Sequence, residues 1–398
     1  MNPDLFRLHP YPFEKLAALK AGVTPAAKFE HIAMSIGEPK HAAPEFVLKS
    51  FAENLPRISA YPLTRGMPEL REAITQWLTQ RFSLNPQDLD AEQHVLPVNG
   101  TREALFAFAQ AMINRHENPA IIMPNPFYQI YEGAALLAGA EPCFLNTTAA
   151  TDLLPDFSSV DEATWQRTQI VYICTPGNPT GRVMPIEQLQ SLINLAEKYN
   201  FIIASDECYS ELYFDESSPP VGLLDAASQM GNTEFRHCIV FHSLSKRSNL
   251  PGLRSGFVAG DRQIIEQFLK YRTYHGCAMA PPAQLASIAA WSDEAHVRDN
   301  RERYREKFRI MFDVLGPHLQ LEMPDAGFYL WQQTPIDDET FTRELFAQYN
   351  LTVLPGQYLS REANGENPGR NRVRMALVAD IPQIQDAAER LRAFIEKY

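Results

Sequence analysis

Between about residue 95 and residue 260, short apolar runs alternate with segments of helical periodicity, and this alternation constrains the fold more than any other feature. Strands that alternate with helices indicate βαβ units and a mainly parallel sheet. The apolar runs are HVLPV from His94, AIIM from Ala120, QIVYIC from Gln169, FIIAS from Phe201, CIVFHS from Cys238 and SGFVAG from Ser255. After Pro185 in the sequence, residues 186, 189, 193 and 196 are apolar and share one face, which predicts an amphipathic helix packed on the sheet.

The pattern changes after about residue 285. A long charged helical stretch runs from Trp291 to Leu315, followed by a strand-like GFYLW from Gly327 and a closing helix from Ile381. These segments predict a second, smaller α+β domain. We therefore expect a large domain over 46–285 and a small domain formed by 1–45 and 286–398. The first forty or so residues would fold onto the small domain or across a subunit boundary.

Charge and composition argue against several classes of function. The 48 acidic and 36 basic residues give a net charge of −12, and no basic stripe is present, so neither nucleic acid nor an anionic membrane is an expected partner. The first residues lack a signal-peptide pattern and no run is apolar enough to span a bilayer, so we expect a cytoplasmic protein. The five cysteines are dispersed without a CxxC pair, and neither a disulfide framework nor a metal site is expected.

The segment HSLSKRSNLPGLRSGF, from His242 to Phe257, is the most informative for chemistry. It follows an apolar run, and ligands of open parallel sheets collect at the carboxyl ends of the strands. Ser243, Ser245 and Arg254 can bind an anion, and Lys246 places an amine beside it. This combination suits a phosphorylated aldehyde. The alternative is a surface turn with ordinary basic residues.

Two further segments follow apolar runs. PGNPTG, from Pro176 to Gly181, is a tight turn that directs Asn178 toward the strand ends. SDECY, from Ser205 to Tyr209, places Asp206 directly after a strand, where an unpaired carboxylate is costly to bury. We therefore expect a cationic group to face Asp206.

Together these segments resemble the class I and II aminotransferases of fold type I, over most of the chain. The resemblance implies an α/β fold with a mainly parallel seven-stranded sheet and a smaller α+β domain. It implies pyridoxal 5'-phosphate as the cofactor, and amino acids and 2-oxo acids as substrates. Lys246 matches the lysine that holds the cofactor covalently, and Asp206 matches the acid that pairs with the protonated pyridine nitrogen. Asn178 and Tyr209 match the donors to the cofactor's phenolate oxygen.

The resemblance also implies the rest of the cofactor site. Gly100, Thr101 and Arg102, in NGTREALFAFAQAM, match the loop that binds the phosphate at a helix N-terminus. Tyr128, in NPFYQIY, matches the aromatic residue that stacks on the cofactor ring. Tyr61 matches a tyrosine that reaches the phosphate of the neighbouring subunit, which implies a homodimer with shared sites.

For the substrate, Gly37 in IGEP matches a residue near the α-carboxylate, and Asn178 also faces the substrate. Arg374, in NRVRMALV, matches the arginine that clamps the α-carboxylate, with Arg372 two residues away on the same strand face as the alternative.

Two segments carry a narrower resemblance. RSNLPGLRSGF and YRTYHGCAMAPPAQ are most similar to the succinyldiaminopimelate aminotransferases of bacterial lysine synthesis, which implies N-succinyl-LL-diaminopimelate as donor and 2-oxoglutarate as acceptor. With Pro281 and Pro282 setting the register, Arg272 and His275 are expected to contact the far end of a substrate bound in the neighbouring subunit. The alternative is that they pack at the dimer boundary.

Other functions remain open at this point. An aspartate or other amino-acid aminotransferase would share every motif, and a C–S β-lyase would use the same lysine and acid. A non-catalytic regulatory protein would usually carry a DNA-binding segment, and none is visible. A dinucleotide-dependent dehydrogenase is disfavoured because no G-x-G-x-x-G follows an early strand.

Overall fold

The apolar runs form one large sheet in the computed structural model, which describes residues 1–398. The twelve strands of the chain are β1 (Ile32–Ala33), β2 (Val95–Val98), β3 (Ala120–Asn125), β4 (Glu141–Asn146), β5 (Thr168–Cys174), β6 (Ile202–Asp206), β7 (Cys238–Ser243), β8 (Gly256–Gly260), β9 (Tyr329–Gln333), β10 (Leu351–Thr352), β11 (Leu354–Pro355) and β12 (Arg372–Ala376). The large sheet has seven strands in the order β2-β8-β7-β6-β5-β3-β4.

Six strands of this sheet run in one direction and only β8 runs against them, which confirms the mainly parallel fold. The carboxyl ends of the six strands therefore lie at one edge. Because Ser243 at the end of β7 pairs with Gly256 at the start of β8, the residues just before β8 reach the same edge. The seventh strand, β4, is absent from the six apolar runs because this edge strand is only partly buried and its sequence, EPCFLN, is mixed.

The fourteen helices are α1 (Pro12–Lys20), α2 (Glu45–Glu53), α3 (Pro68–Arg81), α4 (Thr101–Met112), α5 (Ile130–Ala138), α6 (Glu162–Arg167), α7 (Ile186–Tyr199), α8 (Leu223–Gln229), α9 (Leu244–Arg247), α10 (Arg262–His275), α11 (Pro281–Trp291), α12 (Ala295–Leu315), α13 (Asp338–Tyr349) and α14 (Ile381–Ile395). The helix predicted behind Pro185 is α7, which begins at the next residue. None of these helices combines the length and the apolar character that crossing a bilayer would require.

Helices cover both faces of the large sheet because its central strands are apolar on both sides. Along β5, Val171 and Ile173 belong to a core shared with α3, α7, α8 and α11. Ile170 and Tyr172 point to the opposite face, into a core shared with α4, α5 and α10.

The C-terminal part has its own core, formed by α12, α13 and α14 with β1, β9, β10 and β12. Three strands make an antiparallel sheet in the order β11-β12-β9, and β1 pairs with β10 in parallel. The long charged stretch is not one helix, because residues 292–294 separate α11 from α12. The N-terminal helix α1 packs against α13 of the same chain. The division at residues 45 and 285 stays a prediction.

Candidate active site

The lysine of the S-x-S-K segment lies at the carboxyl edge of the large sheet. Lys246 is on α9, a single turn that begins directly after β7, and the Ser243 hydroxyl caps this turn by accepting a 3.1 Å hydrogen bond from the Ser245 amide. The Lys246 ammonium donates to the Gly37 carbonyl and lies 5.4 Å from the centre of the Phe328 ring. Burial, together with the nearby charge of Arg374, lowers the pKa of Lys246 to about 8. A sizeable fraction of this amine is therefore neutral near physiological pH.

Asp206 ends β6 and is only 4% exposed. Its carboxylate accepts hydrogen bonds from the Tyr131 hydroxyl at 2.7 Å and from the Cys208 amide at 3.3 Å, but it forms no ion pair with a Lys, Arg or His side chain. Burial raises the pKa of Asp206. A buried carboxylate without a cationic partner is costly, so the site suits a ligand that brings a positive charge.

The residues before α4 and before β8 form an anion cradle. Gly100 is the N-cap of α4 with a φ of 84°, and a side chain there would overlap the Arg254 guanidinium. Arg254 donates to the Pro251 carbonyl at 2.8 Å and to the Asn99 carbonyl at 3.3 Å, which holds it at the helix N-terminus. Ser243 and Ser245 lie beside it, with their hydroxyls 2.9 Å apart. Free amides at a helix start, two hydroxyls and a guanidinium suit a phosphate group.

A second guanidinium lies on the opposite side, contributed by β12. Arg374 is 4% exposed, donates to the Asn178 side-chain carbonyl at 3.0 Å and to the Ser35 carbonyl at 2.8 Å, and stacks on the Tyr329 ring at 4.5 Å. Arg372 instead donates to the Trp331 carbonyl at 3.3 Å and does not line the cavity. Of the two candidate arginines, Arg374 is therefore the one available to a ligand.

A tyrosine pair and an arginine–tyrosine pair complete the walls. The Tyr209 and Tyr329 hydroxyls are 3.0 Å apart, and a side chain at Gly37 would overlap the Tyr329 hydroxyl. Arg102 donates through Nε to the Tyr128 hydroxyl at 2.6 Å. Burial raises the pKa of Tyr128, so its hydroxyl stays protonated at physiological pH.

These side chains enclose a cavity of about 530 Å³. Most of the predicted site residues line it: Gly37, Thr101, Arg102, Tyr128, Asn178, Asp206, Tyr209, Ser243, Ser245, Lys246, Arg254 and Arg374. Gly100 is not in the lining but contacts Arg254, which is. Residues 11–13, Glu38, Cys208 and Tyr329 also line the cavity, and they were not among the predicted site residues.

Three predicted residues lie away from the cavity of their own chain. Tyr61 is fully exposed, and His275 is exposed and stacks on Tyr271. Arg272 does not fit a substrate-contacting role, because it is 0% exposed and pairs with Glu103 of the same chain through two hydrogen bonds of 2.8 and 2.9 Å. To reach a substrate it would have to leave this buried ion pair.

Known proteins resemble the chain over its whole length. An aminotransferase structure from Neisseria meningitidis Z2491 matches with a TM-score of 0.95 and 46% identity, covering 100% of both chains. The structure of aminotransferase AspB from Helicobacter pylori 26695 matches with a TM-score of 0.90 and 35% identity, covering 98% of this chain and 100% of that one. An LL-diaminopimelate aminotransferase of Nitratidesulfovibrio vulgaris (strain DSM 19637 / Miyazaki F) is 28% identical over 97% of each chain.

The family model for aminotransferase class I and II matches residues 30–391, which is nearly the entire chain. This region contains every predicted site residue, from Gly37 to Arg374. The chain therefore belongs to the class I and II aminotransferases, enzymes that use pyridoxal 5'-phosphate to move an amino group between amino acids and 2-oxo acids.

Proposed function

We propose that Lys246 carries the cofactor and moves the substrate proton, and that the enzyme transfers the amino group of N-succinyl-LL-diaminopimelate to 2-oxoglutarate. One observation carries the chemical part of the proposal. A lysine whose pKa is lowered to about 8 and a buried carboxylate without a cationic partner, Asp206, line the same cavity.

The polar and charged side chains that line the cavity suit the functional groups of pyridoxal phosphate. Asp206 would bind the protonated pyridine nitrogen, which supplies the positive charge that this carboxylate lacks. The cradle of Gly100, Ser243, Ser245 and Arg254 would bind the phosphate, and the small size of Gly100 leaves room for Arg254. Tyr128 would stack on the ring, and Asn178 and Tyr209 would donate to its phenolate oxygen.

Bound pyridoxal phosphate supplies an electron-withdrawing ring that makes the proton next to the substrate amine acidic. With the cofactor bound, Lys246 would take up this proton on Nζ and give it up again. Its lowered pKa leaves a sizeable fraction of the amine neutral and able to act as a base. Asp206 would keep the pyridine nitrogen protonated.

Arg374 would orient the substrate by binding its α-carboxylate with both Nη groups. Stacking on Tyr329 and the hydrogen bonds to Asn178 and Ser35 fix the guanidinium plane before the substrate arrives. A preoriented guanidinium loses little side-chain entropy on binding. The substrate's reacting carbon is thereby directed toward Lys246.

Two observations support the choice of donor. The LL-diaminopimelate aminotransferase of Nitratidesulfovibrio vulgaris shares 28% of its residues with this chain, which favours a diaminopimelate skeleton. Arg102 is expected to bind the phosphate through its main-chain amide, so its guanidinium, which lines the cavity, is available to another anion. N-succinyl-LL-diaminopimelate carries further carboxylates, for which Arg102 is a suitable partner.

A substrate panel on the purified enzyme tests the donor. We expect kcat/KM with 2-oxoglutarate to be highest for N-succinyl-LL-diaminopimelate, lower for LL-diaminopimelate, and lowest for aspartate and glutamate. A preference for LL-diaminopimelate or aspartate would reject the succinylated donor and leave the aminotransferase unchanged. Release of pyruvate, ammonia and thiol from a cysteine conjugate would instead reveal a C–S β-lyase.

Chemical trapping tests the role of Lys246 separately. Borohydride reduction of the holoenzyme followed by peptide mapping should find the cofactor on Lys246. Lys246→Ala should lose transamination by a factor of about 10² or more, since both the linkage and the base are removed. A cofactor mapped to another lysine, or wild-type turnover in Lys246→Ala, would reject the assignment.

The homodimer and the cytoplasmic location form part of the same proposal. Tyr61 and the neighbouring Leu55, Ile58 and Leu63 expose large apolar surfaces, as expected of residues that a second subunit covers. Tyr61 would then reach the phosphate bound in the partner.

A further inference from the structure

A chain of hydrogen bonds from outside the cavity ends on the main chain of Lys246. Asn300, on α12, donates through Nδ2 to the Lys246 carbonyl at 3.2 Å and to the Arg247 carbonyl at 3.4 Å. His41, in the segment between β1 and α2, lies with Nδ1 2.8 Å from Asn300 Oδ1. Lys307 lies on α12 seven residues after Asn300, on the same face of the helix, with Nζ 2.7 Å from His41 Nε2. Asn300 and Lys307 are 3% and 1% exposed.

The direction of every bond in this chain follows from its ends. Main-chain carbonyls only accept, so Asn300 must present its NH₂ group to them and its oxygen to His41. His41 therefore donates from Nδ1 and accepts from Lys307 at Nε2, which requires a neutral imidazole. Burial, with the charges of Lys307 and Arg303, lowers the pKa of His41 to about 4 despite its bond to Asn300, so the ring is neutral at physiological pH.

The segment that carries His41 also contacts the other end of the lysine. The Lys246 ammonium donates to the carbonyl of Gly37, four residues before His41. This contact requires a free ammonium and is lost once the nitrogen is committed to the cofactor. The path through Asn300 involves only the main chain of Lys246, so it persists in both states.

We propose that His41, acting through Asn300, is a positioning residue for Lys246. It fixes the main-chain point from which the lysine side chain extends into the cavity, whether or not the nitrogen is free. The proposal rests on the assignment of Lys246 as the cofactor-bearing lysine. It assigns no proton transfer to His41, which does not line the cavity.

Two substitutions of His41 separate positioning from a purely structural role. An Asn side chain can replace the Nδ1 donor and keep the bond to Asn300, but it does not reach Lys307. A Gln side chain can offer an acceptor to Lys307, but it leaves Asn300 Oδ1 without the imidazole donor. His41→Asn therefore keeps the contact with Asn300, on which the proposed function depends, and loses the contact with Lys307. His41→Gln keeps the contact with Lys307 and loses the contact with Asn300.

The measurement is the rate at which each apoprotein, mixed with pyridoxal phosphate, takes up cofactor in a form that borohydride fixes to Lys246. Thermal unfolding of the apoprotein is followed in parallel. We expect His41→Gln to slow uptake by about 3- to 10-fold with nearly unchanged stability, as one hydrogen bond of ordinary strength allows. His41→Asn should take up cofactor at close to the wild-type rate although its Tm falls.

Asn300→Ala provides the second test, since it removes the contact to the Lys246 carbonyl directly and should slow uptake to a similar extent. In that background His41→Gln should cause no further slowing, because the two residues act through one path. Equal uptake rates in the two His41 variants, rates that follow Tm, or wild-type uptake by Asn300→Ala would overturn the proposal. Cofactor fixed to a lysine other than Lys246 would instead overturn the site assignment, so the two failures are distinguishable.

Discussion

The Tyr131 hydroxyl donates a 2.7 Å hydrogen bond to the Asp206 carboxylate, and both residues are buried. Tyr131 in turn stacks on Tyr172, with ring planes 9° apart and centres separated by 4.8 Å. Burial raises the pKa of Asp206, whereas the bonds from Cys208 and Tyr131 lower it. The acid proposed to bind the pyridine nitrogen is thus held in place by the Tyr131 hydroxyl and the Cys208 amide.

We predict that Asp206→Asn abolishes most of the activity while stabilising the apoprotein at neutral pH. Because the folded-state pKa of Asp206 is raised, ionisation costs more in the folded than in the unfolded protein. This penalty is absent below the unfolded pKa of about 3.9 and grows as the pH rises through the folded pKa. An Asn side chain still accepts from Tyr131 but cannot ionise.

Chemical denaturation of both apoproteins between about pH 4 and pH 7 checks this prediction. The variant should gain stability relative to wild type as the pH rises. A variant that is less stable than wild type at neutral pH would indicate a structural carboxylate.

Tyr131→Phe should lower kcat by about 2- to 10-fold, since one hydrogen bond to a charged group is lost. The loss of a bond that lowers the pKa of Asp206 should also move the acidic limb of the kcat profile to higher pH. Tyr172→Phe is a matched control, because its hydroxyl donates to the Leu105 carbonyl at 2.7 Å and not to Asp206. An unshifted acidic limb in Tyr131→Phe, or an equal shift in Tyr172→Phe, would contradict the prediction.

The pH dependence of cofactor uptake should report the pKa of Lys246. Only the neutral amine can attack the aldehyde, so the uptake rate of the apoprotein should rise with pH through a midpoint near 8. Arg374→Gln removes one of the charges that lower this pKa and should move the midpoint upward. A midpoint that stays fixed would show that the Arg374 charge does not act on Lys246.

The sequence located most of this site because its residues follow strands, and parallel strands bring their carboxyl ends to one edge. Asp206 is the last residue of β6, and Lys246 and Asn178 lie shortly after the ends of β7 and β5. Tyr131 and Tyr329 were not predicted as site residues, because Tyr131 lies on a helix and Tyr329 in the smaller sheet. Their partners lie 75 and 120 residues away in sequence, and no local pattern encodes such a pairing.

The buried ion pair of Arg272 could not be predicted for a related reason, and its contact with a substrate stays a prediction. Position before the paired prolines suggested a residue free to reach a ligand, but Glu103, 169 residues away, already pairs with it. The same Glu103 accepts a 2.9 Å hydrogen bond from the Asn99 amide, at the start of the phosphate loop. Arg272 thus stabilises this loop indirectly, by holding Glu103 in place.

If Tyr61 completes the site of the partner subunit, mixing inactive variants should restore activity. A hybrid dimer of Lys246→Ala and Tyr61→Ala has one site with both defects and one with neither. Random mixing should therefore recover about a quarter of the wild-type activity. Lys246→Ala mixed with Asp206→Asn is the control, because both residues line the cavity of one chain and every hybrid site stays defective. No recovery with Tyr61→Ala would reject the shared site.

Substitution of Arg272 and His275 should separate support of the fold from recognition of the substrate. Arg272→Ala breaks a buried ion pair and should destabilise the protein by about 2–4 kcal/mol, less than a fully buried pair would because Glu103 is 30% exposed. Since Glu103 then holds Asn99 less firmly, the cofactor phosphate should also bind more weakly. Neither effect distinguishes one substrate from another.

We therefore expect kcat/KM for N-succinyl-LL-diaminopimelate and for glutamate to fall by the same factor in Arg272→Ala, and excess pyridoxal phosphate to restore part of both. Arg272→Lys should lie between wild type and Arg272→Ala, because a lysine cannot form both hydrogen bonds to Glu103. His275 is exposed and free to face a partner subunit, so His275→Ala should leave stability unchanged. If His275 contacts the far end of the donor, its loss should lower kcat/KM for the succinylated substrate alone, by about fivefold, which corresponds to about 1 kcal/mol. A selective loss in Arg272→Ala at wild-type stability would instead require the arginine to leave Glu103 in the dimer.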